Sequence, residues 1–299
     1  MLHYELESAF TIRVLQMTSN SILLIGIVLC AVAATTATAQ VTLGPTMLYM
    51  PNGHSTETLT LVNASTEDKE VSITTRFGRP TSDTLGNVTM IYVDSTGDHS
   101  MDASAIISFY PRRFFLKGGT TQNVRFRGRP LPDMKHGMYW SRVVVTSSLA
   151  QDAPERQVGV DAQLQFECAQ DIPLFFVYGS AKVNLLPRKL LAVRDSTGRS
   201  LLLVETAPDG NAPFVGSLGV VISQNRQVVV NRTIPVSLYG FERTQLLPEN
   251  MQLAYGAYEV NLYWTMGRPN VLPKYASQFE PIVEQFTFGV DTNGNVAIK

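Results

Sequence analysis

Cysteine and histidine, which often carry out catalysis or bind metal ions in proteins, are few in this sequence, and their spacing does not suit either role. The 299 residues include two cysteines, Cys30 and Cys168, and four histidines. His54, His99 and His136 lie far apart, so none has the H-x-x-x-H spacing that places two imidazoles on one metal ion. Cys168 sits at an apolar position of an alternating segment, which favours a small hydrophobic side chain over a nucleophile.

Other signatures of catalysis are also missing from the sequence. It has no Gly-rich phosphate loop and no G-x-S-x-G nucleophile elbow. Residues 94–98, Asp-Ser-Thr-Gly-Asp, resemble a protease or calcium-binding loop only superficially, because no further ligand follows at the required spacing. A polar hairpin is the simpler interpretation. We therefore expect no enzyme activity, no metal ion and no cofactor.

The first 39 residues have the pattern of a secretion signal. An apolar run at 21–34 is rich in small residues, and the triplet Ala-Thr-Ala at 37–39 is a small-x-small cleavage site. The sequence thus predicts a signal peptide over residues 1–39 and export of the remaining chain. No later stretch is long and apolar enough for a spanning helix, so we expect no integral membrane segment in the exported chain.

The composition indicates a folded protein of two domains. Hydrophobic residues make up 44% of the chain and the formal net charge is −1. This balance of charge argues against nucleic acid as a partner. The remaining length suits an N-terminal domain over residues 40–178 and a C-terminal domain over residues 179–299. Because Cys168 is the one cysteine after the predicted signal, we expect no intrachain disulfide.

Short alternating segments separated by Gly, Pro, Asn and Asp run through both predicted domains. Clear examples are 69–76 (KEVSITTR), 200–206 (SLLLVET) and 258–264 (YEVNLYW), and no amphipathic helix of three turns is evident. This pattern predicts an all-β protein with two tandem immunoglobulin-like β-sandwiches. Tyr139 and Tyr258 each follow a Gly-x pair at the start of a late strand, which resembles the tyrosine corner of such sandwiches.

The longest alternating segment is 157–168 (QVGVDAQLQFEC). Its apolar residues occupy every second position, and the last four of them are Ala162, Leu164, Phe166 and Cys168. The same parity resumes at Ile172 after an interruption that includes Pro173. Two interpretations remain open: the apolar row lines the core of its own sandwich, or part of it is exposed as a template for the strand of another chain.

Several motifs around this segment resemble the PapD-like periplasmic pilus chaperones. Residues 109–119 (FYPRRFFLKGG) are similar to that family's P-x-R-x-x-L-x-P-G segment, and 122–126 (QNVRF) to its Q-x-V-R. The next crossover and strand follow at 131–143, and 172–176 (IPLFF) resembles the family's I-K-L-F-Y-R-P ending. The resemblance covers most of residues 41–178 and is only architectural beyond them.

This resemblance implies two immunoglobulin-like domains arranged as a boomerang, and a chaperone that acts by donor-strand complementation. The last strand of the first domain would be lent to a pilin-like or surface-fibre subunit that lacks a strand of its own. The subunit-binding residues implied in this way are Ala162, Leu164, Phe166 and Cys168. An outer-membrane usher would be a further partner.

The sequence departs from the family at the two basic side chains that hold the subunit's terminal carboxylate. Their positions are occupied here by Met47 and Pro173. Two explanations are open for a chaperone. Either another basic residue binds the carboxylate, with Arg112 and Arg113 as candidates if they do not simply form a solvated turn, or strand pairing alone holds the client. The remaining alternative is a non-chaperone structural or adhesive module of a cell-envelope assembly that keeps the fold.

Overall fold

The computed structural model describes residues 41–51, 55–94, 96–150, 167–186, 188–249, 251–267 and 279–298. These residues form β-strands joined by turns and loops, and contain no helix. The predicted all-β class is therefore confirmed. The predicted signal peptide over residues 1–39 lies outside the described residues.

The strands up to Tyr178 build the N-terminal sandwich. Their bounds are β1 (Thr42–Gly44), β2 (Leu48–Met50), β3 (Thr56–Val62), β4 (Lys69–Arg76), β5 (Gly78–Ser82), β6 (Val88–Tyr92), β7 (Ile107–Tyr110), β8 (Arg113–Leu116), β9 (Thr121–Gly128), β10 (Gly137–Leu149) and β11 (Glu167–Tyr178). One sheet has the order β1-β3-β9-β7 and the other β2-β11-β10-β4-β8, while β5 and β6 form a separate hairpin.

The remaining strands build the C-terminal sandwich. Their bounds are β12 (Val183–Leu185), β13 (Lys189–Arg194), β14 (Ser200–Thr206), β15 (Pro208–Gly210), β16 (Phe214–Gln224), β17 (Gln227–Leu238), β18 (Glu242–Gln245), β19 (Gly256–Met266), β20 (Ile282–Val290) and β21 (Val296–Ile298). The main sheets have the orders β13-β14-β18 and β17-β16-β19-β20-β21, and β12 pairs with β15.

Each sandwich has its own hydrophobic core, which follows from the period-two pattern of its strands. In β9, Val124 and Phe126 are buried while Arg125 and Arg127 between and after them are exposed. The N-terminal core is drawn from residues 41–176 and the C-terminal core from residues 185–290. Two separate cores agree with the predicted pair of tandem sandwiches.

Both predicted tyrosine corners are present. The hydroxyl of Tyr139 donates a hydrogen bond of 2.9 Å to the carbonyl of Lys135, and that of Tyr258 donates one of 2.8 Å to the carbonyl of Ala254. In each case the side chain bonds backbone four residues earlier, at the entry to β10 or β19. The corners thus fasten equivalent crossovers in the two sandwiches.

A third apolar cluster joins the two sandwiches. Trp140, Phe175 and Val177 of the N-terminal sandwich are buried in it. The ring of Tyr239 from the C-terminal sandwich lies 5.0 Å from Trp140 in a T-shaped contact and 6.4 Å from Phe175 in a stacked one. Aromatic pairs of this kind add about 0.5–1.5 kcal/mol beyond the burial of area.

The strand pattern of the sequence agrees with much of the structure, with several differences. Residues 69–76 and 200–206 are strands with the predicted bounds. The predicted interruption at Pro173 is wrong, because β11 pairs with β10 without a break from Glu167 to Tyr178. A proline is tolerated there because the strand lies at a sheet edge at that point, where an N–H is dispensable. Five strands were not predicted from the sequence: β5, β8, β13, β15 and β21.

Candidate functional site

Strand β11 is flanked on only part of its length. On one side it pairs antiparallel with β10 along all twelve residues. On the other side β2 pairs with it in parallel from Leu174 to Phe176. No other described strand lies beside residues 167–173 on that side. This part of β11 is therefore a sheet edge onto which a strand of another chain can add.

The predicted subunit-binding residues fall at the start of this strand or before it. Ala162, Leu164 and Phe166 lie outside the described residues. Cys168 lies within β11, opposite Ser147 of β10, and is half-buried. It shares a face with Ile172 and Leu174, since these residues have the same parity.

That face of β11 is the one that lines the N-terminal core. Ile172, Leu174 and Phe176 are all buried in the core cluster. The side-chain amide of Gln170, on the same face, reaches across to the carbonyl of Val41 at 2.6 Å. The second half of this apolar row therefore lies in the core, whereas the side chain of Cys168 is only half-buried.

The candidate anchors Arg112 and Arg113 lie elsewhere on the N-terminal sandwich. Both side chains are exposed, and the guanidinium of Arg112 is 5.0 Å from the centroid of the Phe109 ring. Arg113 begins β8, which is separated from β11 by β4 and β10. The structure therefore does not bring these two arginines next to the edge of β11.

A cavity of about 500 Å³ opens between the two sandwiches at the end of this edge. Met47 and Pro173, which occupy the family's two basic positions, both line it. Arg232 and residues 234–238 of β17, together with Tyr239 just after this strand, form one wall, and the β5–β6 hairpin forms another. The position of the cavity, at the junction of two domains, is typical of binding sites.

Three arginines line the cavity, and two of them are paired. Arg142 forms an ion pair with Asp171 of β11, and Arg243 donates to Glu205 at 2.8 Å. Arg232 is half-buried and has no ion-pair partner among the described residues. Its charge is therefore available to an anionic group that enters the cavity.

Sequence reasoning did not identify Arg232. Its triplet, Asn231-Arg232-Thr233, gives no sign of a cleft position, because β17 is placed against the N-terminal sandwich only by the relative arrangement of the two domains. The one sequence feature that could have indicated Arg232 is a basic residue at an alternating position of an edge strand.

A polar network stabilises the outer face of β11 beside the cavity. The carboxylate of Asp171 accepts hydrogen bonds from Arg142 and from the hydroxyl of Tyr92 on β6. The guanidinium of Arg76 lies 3.9 Å from the centroid of the Tyr92 ring. Partial burial, and next the hydrogen bond to Asp171, raise the pKa of Tyr92 above its usual range. The phenol accordingly stays protonated and acts as a donor.

One Ser-Asp-His cluster occurs near the junction, but its order is unsuitable for nucleophilic catalysis. Asp102 accepts from the hydroxyl of Ser141 at 2.7 Å and lies 3.2 Å from Nδ1 of His99. The carboxylate therefore stands between hydroxyl and imidazole, so His99 cannot take the hydroxyl proton. Hydrogen bonds to the Asp94 carbonyl and to Asp102 raise the pKa of His99.

The described residues contain neither a cluster of metal ligands nor a membrane-spanning helix. No group of three or more His, Cys, Asp or Glu side chains is arranged to bind a metal ion within the ranges given above. The described part of the chain also has no helix of the length and hydrophobicity needed to cross a bilayer.

No family model matches the chain, and no curated protein matches its sequence. Solved structures similar to it include the class 5 fimbriae chaperone CfaA, at 13% identity over 82% of this chain and 98% of that one, with a TM-score of 0.41. The Escherichia coli chaperone DraB matches at 13% identity over 83% and 97% of the two chains, with a TM-score of 0.41.

A third similar structure is the CsuC–CsuE chaperone–tip adhesion subunit pre-assembly complex from Acinetobacter baumannii. A chain of this complex matches at 14% identity over 83% of this chain and 98% of its own length, with a TM-score of 0.44. Over most of its length the chain is thus similar to solved structures of chaperones from fimbrial and pilus systems.

Proposed function

We propose that this protein is a periplasmic chaperone that binds and stabilises pilus or surface-fibre subunits by donor-strand complementation. The observation that supports this most directly is the edge of β11 over residues 167–173, which pairs with β10 on one side, has no described strand on the other, and leads to the inter-sandwich cavity. An unfinished subunit offers unpaired backbone groups and an apolar groove. A lent strand satisfies the backbone hydrogen bonds, while its side chains fill the groove.

The energy available to such a complex is sufficient. Ala162, Leu164, Phe166 and Cys168 are the side chains proposed to enter the client. Burial of a large apolar side chain contributes about 1.5–3 kcal/mol. Leu164 and Phe166, the two large side chains of this set, would together contribute about 3–6 kcal/mol. This contribution would help to compensate for the ordering of a strand and to hold the client until it is released.

The direction of β11 indicates which end of a client would lie in the cavity. Pro173 and Phe175, in the second half of the strand, line the cavity. A client strand parallel to β11 would therefore bring its C-terminal end there. We propose that Arg232 binds the terminal carboxylate, because it lines the cavity and has no ion-pair partner among the described residues.

The proposal includes the domain boundary and the location of the chain. The N-terminal core ends at Phe176 and the C-terminal core begins at Leu185. These limits support a boundary between residues 178 and 179, with domains over 40–178 and 179–299. Export by the signal over 1–39 would bring the protein to the periplasm, where subunits and an outer-membrane usher are its proposed partners.

The alternative is a structural or adhesive module of an envelope assembly that keeps the same fold. One observation favours it: Met47 and Pro173 leave the family's two basic positions without charge, although both line the cavity. Such a module would use the inter-sandwich junction only to hold its own two domains together. It would therefore capture no unfinished subunit.

Substitution of Phe166 by Asp tests the proposal. A tagged protein is purified from its native envelope, the client is identified by mass spectrometry, and the pair is then co-expressed. We expect Phe166→Asp to abolish recovery of the client, because a charge would have to be buried in the client's groove. Gln165→Asp, which adds the same charge at an adjacent polar position, is the matched control.

The same assay compares the candidate anchors. Recovery should fall with Arg232→Ala and be partly restored by Arg232→Lys, while Arg112→Ala and Arg113→Ala should leave it unchanged. Equal recovery with Phe166→Asp and with the native chain would refute the lent strand. Absence of any co-purifying subunit would favour the structural module.

A further inference from the structure

The β5–β6 hairpin connects the two sandwiches by polar contacts centred on Glu242. This residue of β18 is only 3% exposed. Its carboxylate accepts from Nη1 of Arg79 at 3.3 Å, from the hydroxyl of Thr81 at 3.2 Å and from the backbone N–H of Ser82. All three donors belong to β5, so a buried charge of the C-terminal sandwich is neutralised by the N-terminal one.

The turn of the hairpin makes a second row of contacts with β18. The N–H of Arg243 donates to the hydroxyl of Ser82 at 2.6 Å, and its Nη1 donates to the carbonyl of Thr84 at 3.0 Å. The amide of Gln245 donates to the carbonyl of Leu85 at 2.8 Å. Thr84 and Leu85, which are consecutive in the turn, thus accept hydrogen bonds from Arg243 and Gln245, which are two residues apart on β18.

The fit at the turn is close as well as polar. Gly86 has a φ of +78°, and a Cβ built on it would lie 3.1 Å from Cγ of Gln245. Any other residue would be strained in this conformation and crowded against β18. The hairpin is thus built to lie on β18 rather than to extend into solvent.

The same hairpin forms one wall of the inter-sandwich cavity. Pro80, Val88 and Met90 line the cavity on this side, and β17 and the end of β11 line the others. If the hairpin left β18, the cavity would become an open groove. A cavity of about 500 Å³ lies within the roughly 300–1,000 Å³ of small-ligand pockets. It therefore has room for the end of an extended peptide but not for a folded element.

We propose that the β5–β6 hairpin is a latch, held by Glu242 and Arg79, that closes the cleft to the width of a single extended chain end. The identity of the chain end that enters the cleft rests on the proposed function, whereas the latch itself does not. Glu242 and Arg79 act as positioning residues: they hold the wall in place and need not touch the client. Because the carboxylate of Glu242 is buried, loss of its partner leaves an uncompensated charge and favours opening.

The test measures the latch without any ligand. Arg79→Ala removes the cationic partner, and Glu242→Gln removes the charge while keeping the shape of the side chain. Lys189→Ala, an exposed position on β13, is the control. Hydrogen exchange at the amides of Ser82 and Arg243 should accelerate about tenfold or more in both variants, while β4 and β19 keep their protection, as expected for local opening.

A second readout reports on the cavity. Met47 and Met90 line it, whereas Met50 is fully buried in the N-terminal core. Brief treatment with hydrogen peroxide converts accessible methionine to the sulfoxide. Opening of the latch should increase the oxidation rate at Met47 and Met90 several-fold and leave Met50 unchanged.

Unchanged exchange and oxidation in both variants would overturn the latch, as would a loss of protection spread over the whole protein. A wild-type protein that captures no subunit would refute the proposed function. It would not affect the exchange and oxidation results, so the two failures are distinguishable.

Discussion

The hydroxyl groups of Tyr139 and Tyr258 have a defined role at the level of single residues. Each phenol donates to a carbonyl four residues earlier and so fastens the crossover that enters a central strand. Partial burial raises the pKa of both phenols, and the hydrogen bond to the carbonyl opposes this shift. The sequence predicted these bonds because a Gly-x-Tyr pattern recurs at corresponding places in the two halves.

The first prediction concerns Tyr258→Phe. This change removes only the hydroxyl, so the Ala254 carbonyl loses its partner while the ring keeps its stacked contact with Phe288. We expect the free energy of unfolding of the C-terminal sandwich to fall by about 1 kcal/mol. Urea denaturation followed by far-UV circular dichroism measures it.

Tyr255→Phe is the matched control, because the Tyr255 side chain is 71% exposed. It should change stability by less than about 0.5 kcal/mol. If the two variants unfold at the same urea concentration, the tyrosine corner does not stabilise this sandwich.

The turn between β13 and β14 shows how a single strand pair depends on one carboxylate. Asp195 accepts from the hydroxyl and N–H of Thr197, at 2.6 and 2.9 Å, and from the N–H and Nε of Arg199, both at 3.0 Å. These donors, the Thr197 hydroxyl foremost, lower the pKa of Asp195 to about 2. The ionised carboxylate is thus the form that closes the hairpin.

The second prediction follows from the sign of this shift. Since the folded-state pKa lies below the ordinary value of 3.8, the stabilisation is complete above pH 3.8 and is lost as the pH falls towards about 2. The stability difference between the native protein and Asp195→Asn should therefore shrink over this interval. Urea midpoints measured from pH 5 to pH 2 give the comparison.

Thr197→Val supplies the control for the turn, because it removes the hydroxyl that contributes most to the lowered pKa. In this variant the Asp195 carboxyl should titrate at a higher pH, as followed by NMR of the side-chain carbonyl. A titration identical to that of the native protein would contradict the assignment.

At the scale of the whole molecule, the two sandwiches are joined by apolar as well as polar contacts. Trp140 is buried at the junction, with the ring of Tyr239 at 5.0 Å. The other tryptophan of the sequence, Trp264, is fully buried in the C-terminal core. In a Trp264→Phe background, fluorescence therefore reports the junction alone.

The third prediction uses this background. Adding Tyr239→Ala should shift the emission of Trp140 to longer wavelength, because water gains access to the indole, while the far-UV circular dichroism remains that of a folded β-protein. Tyr110→Ala, at a position 81% exposed and remote from the cluster, should leave the emission unchanged. Equal spectra for the two variants would mean that Tyr239 does not seal the junction.

The candidate site was predictable only where it depends on alternation within one strand. The period-two pattern of residues 157–168 and the parity of Ile172 and Leu174 predicted a strand with one apolar face, but left open whether that face lines the core or is exposed. In the described part, β11 buries Ile172 and Leu174 in the core. The pattern could not identify which side of β11 lacks a neighbour. That depends on where β2 stops pairing, at Leu174, and pairing partners are distant in sequence.

The sequence by itself determined the fold class, many of the strands and both tyrosine corners, because these depend on side-chain parity and on bonds across four residues. Only the tertiary structure decided that Arg232, Pro173 and the β5–β6 hairpin meet around one cavity. Their meeting depends on the packing of Trp140 and Phe175 against Tyr239 and on the pairing of Glu242 with Arg79. These contacts join residues as many as 163 positions apart, and no local periodicity records which distant surfaces are complementary.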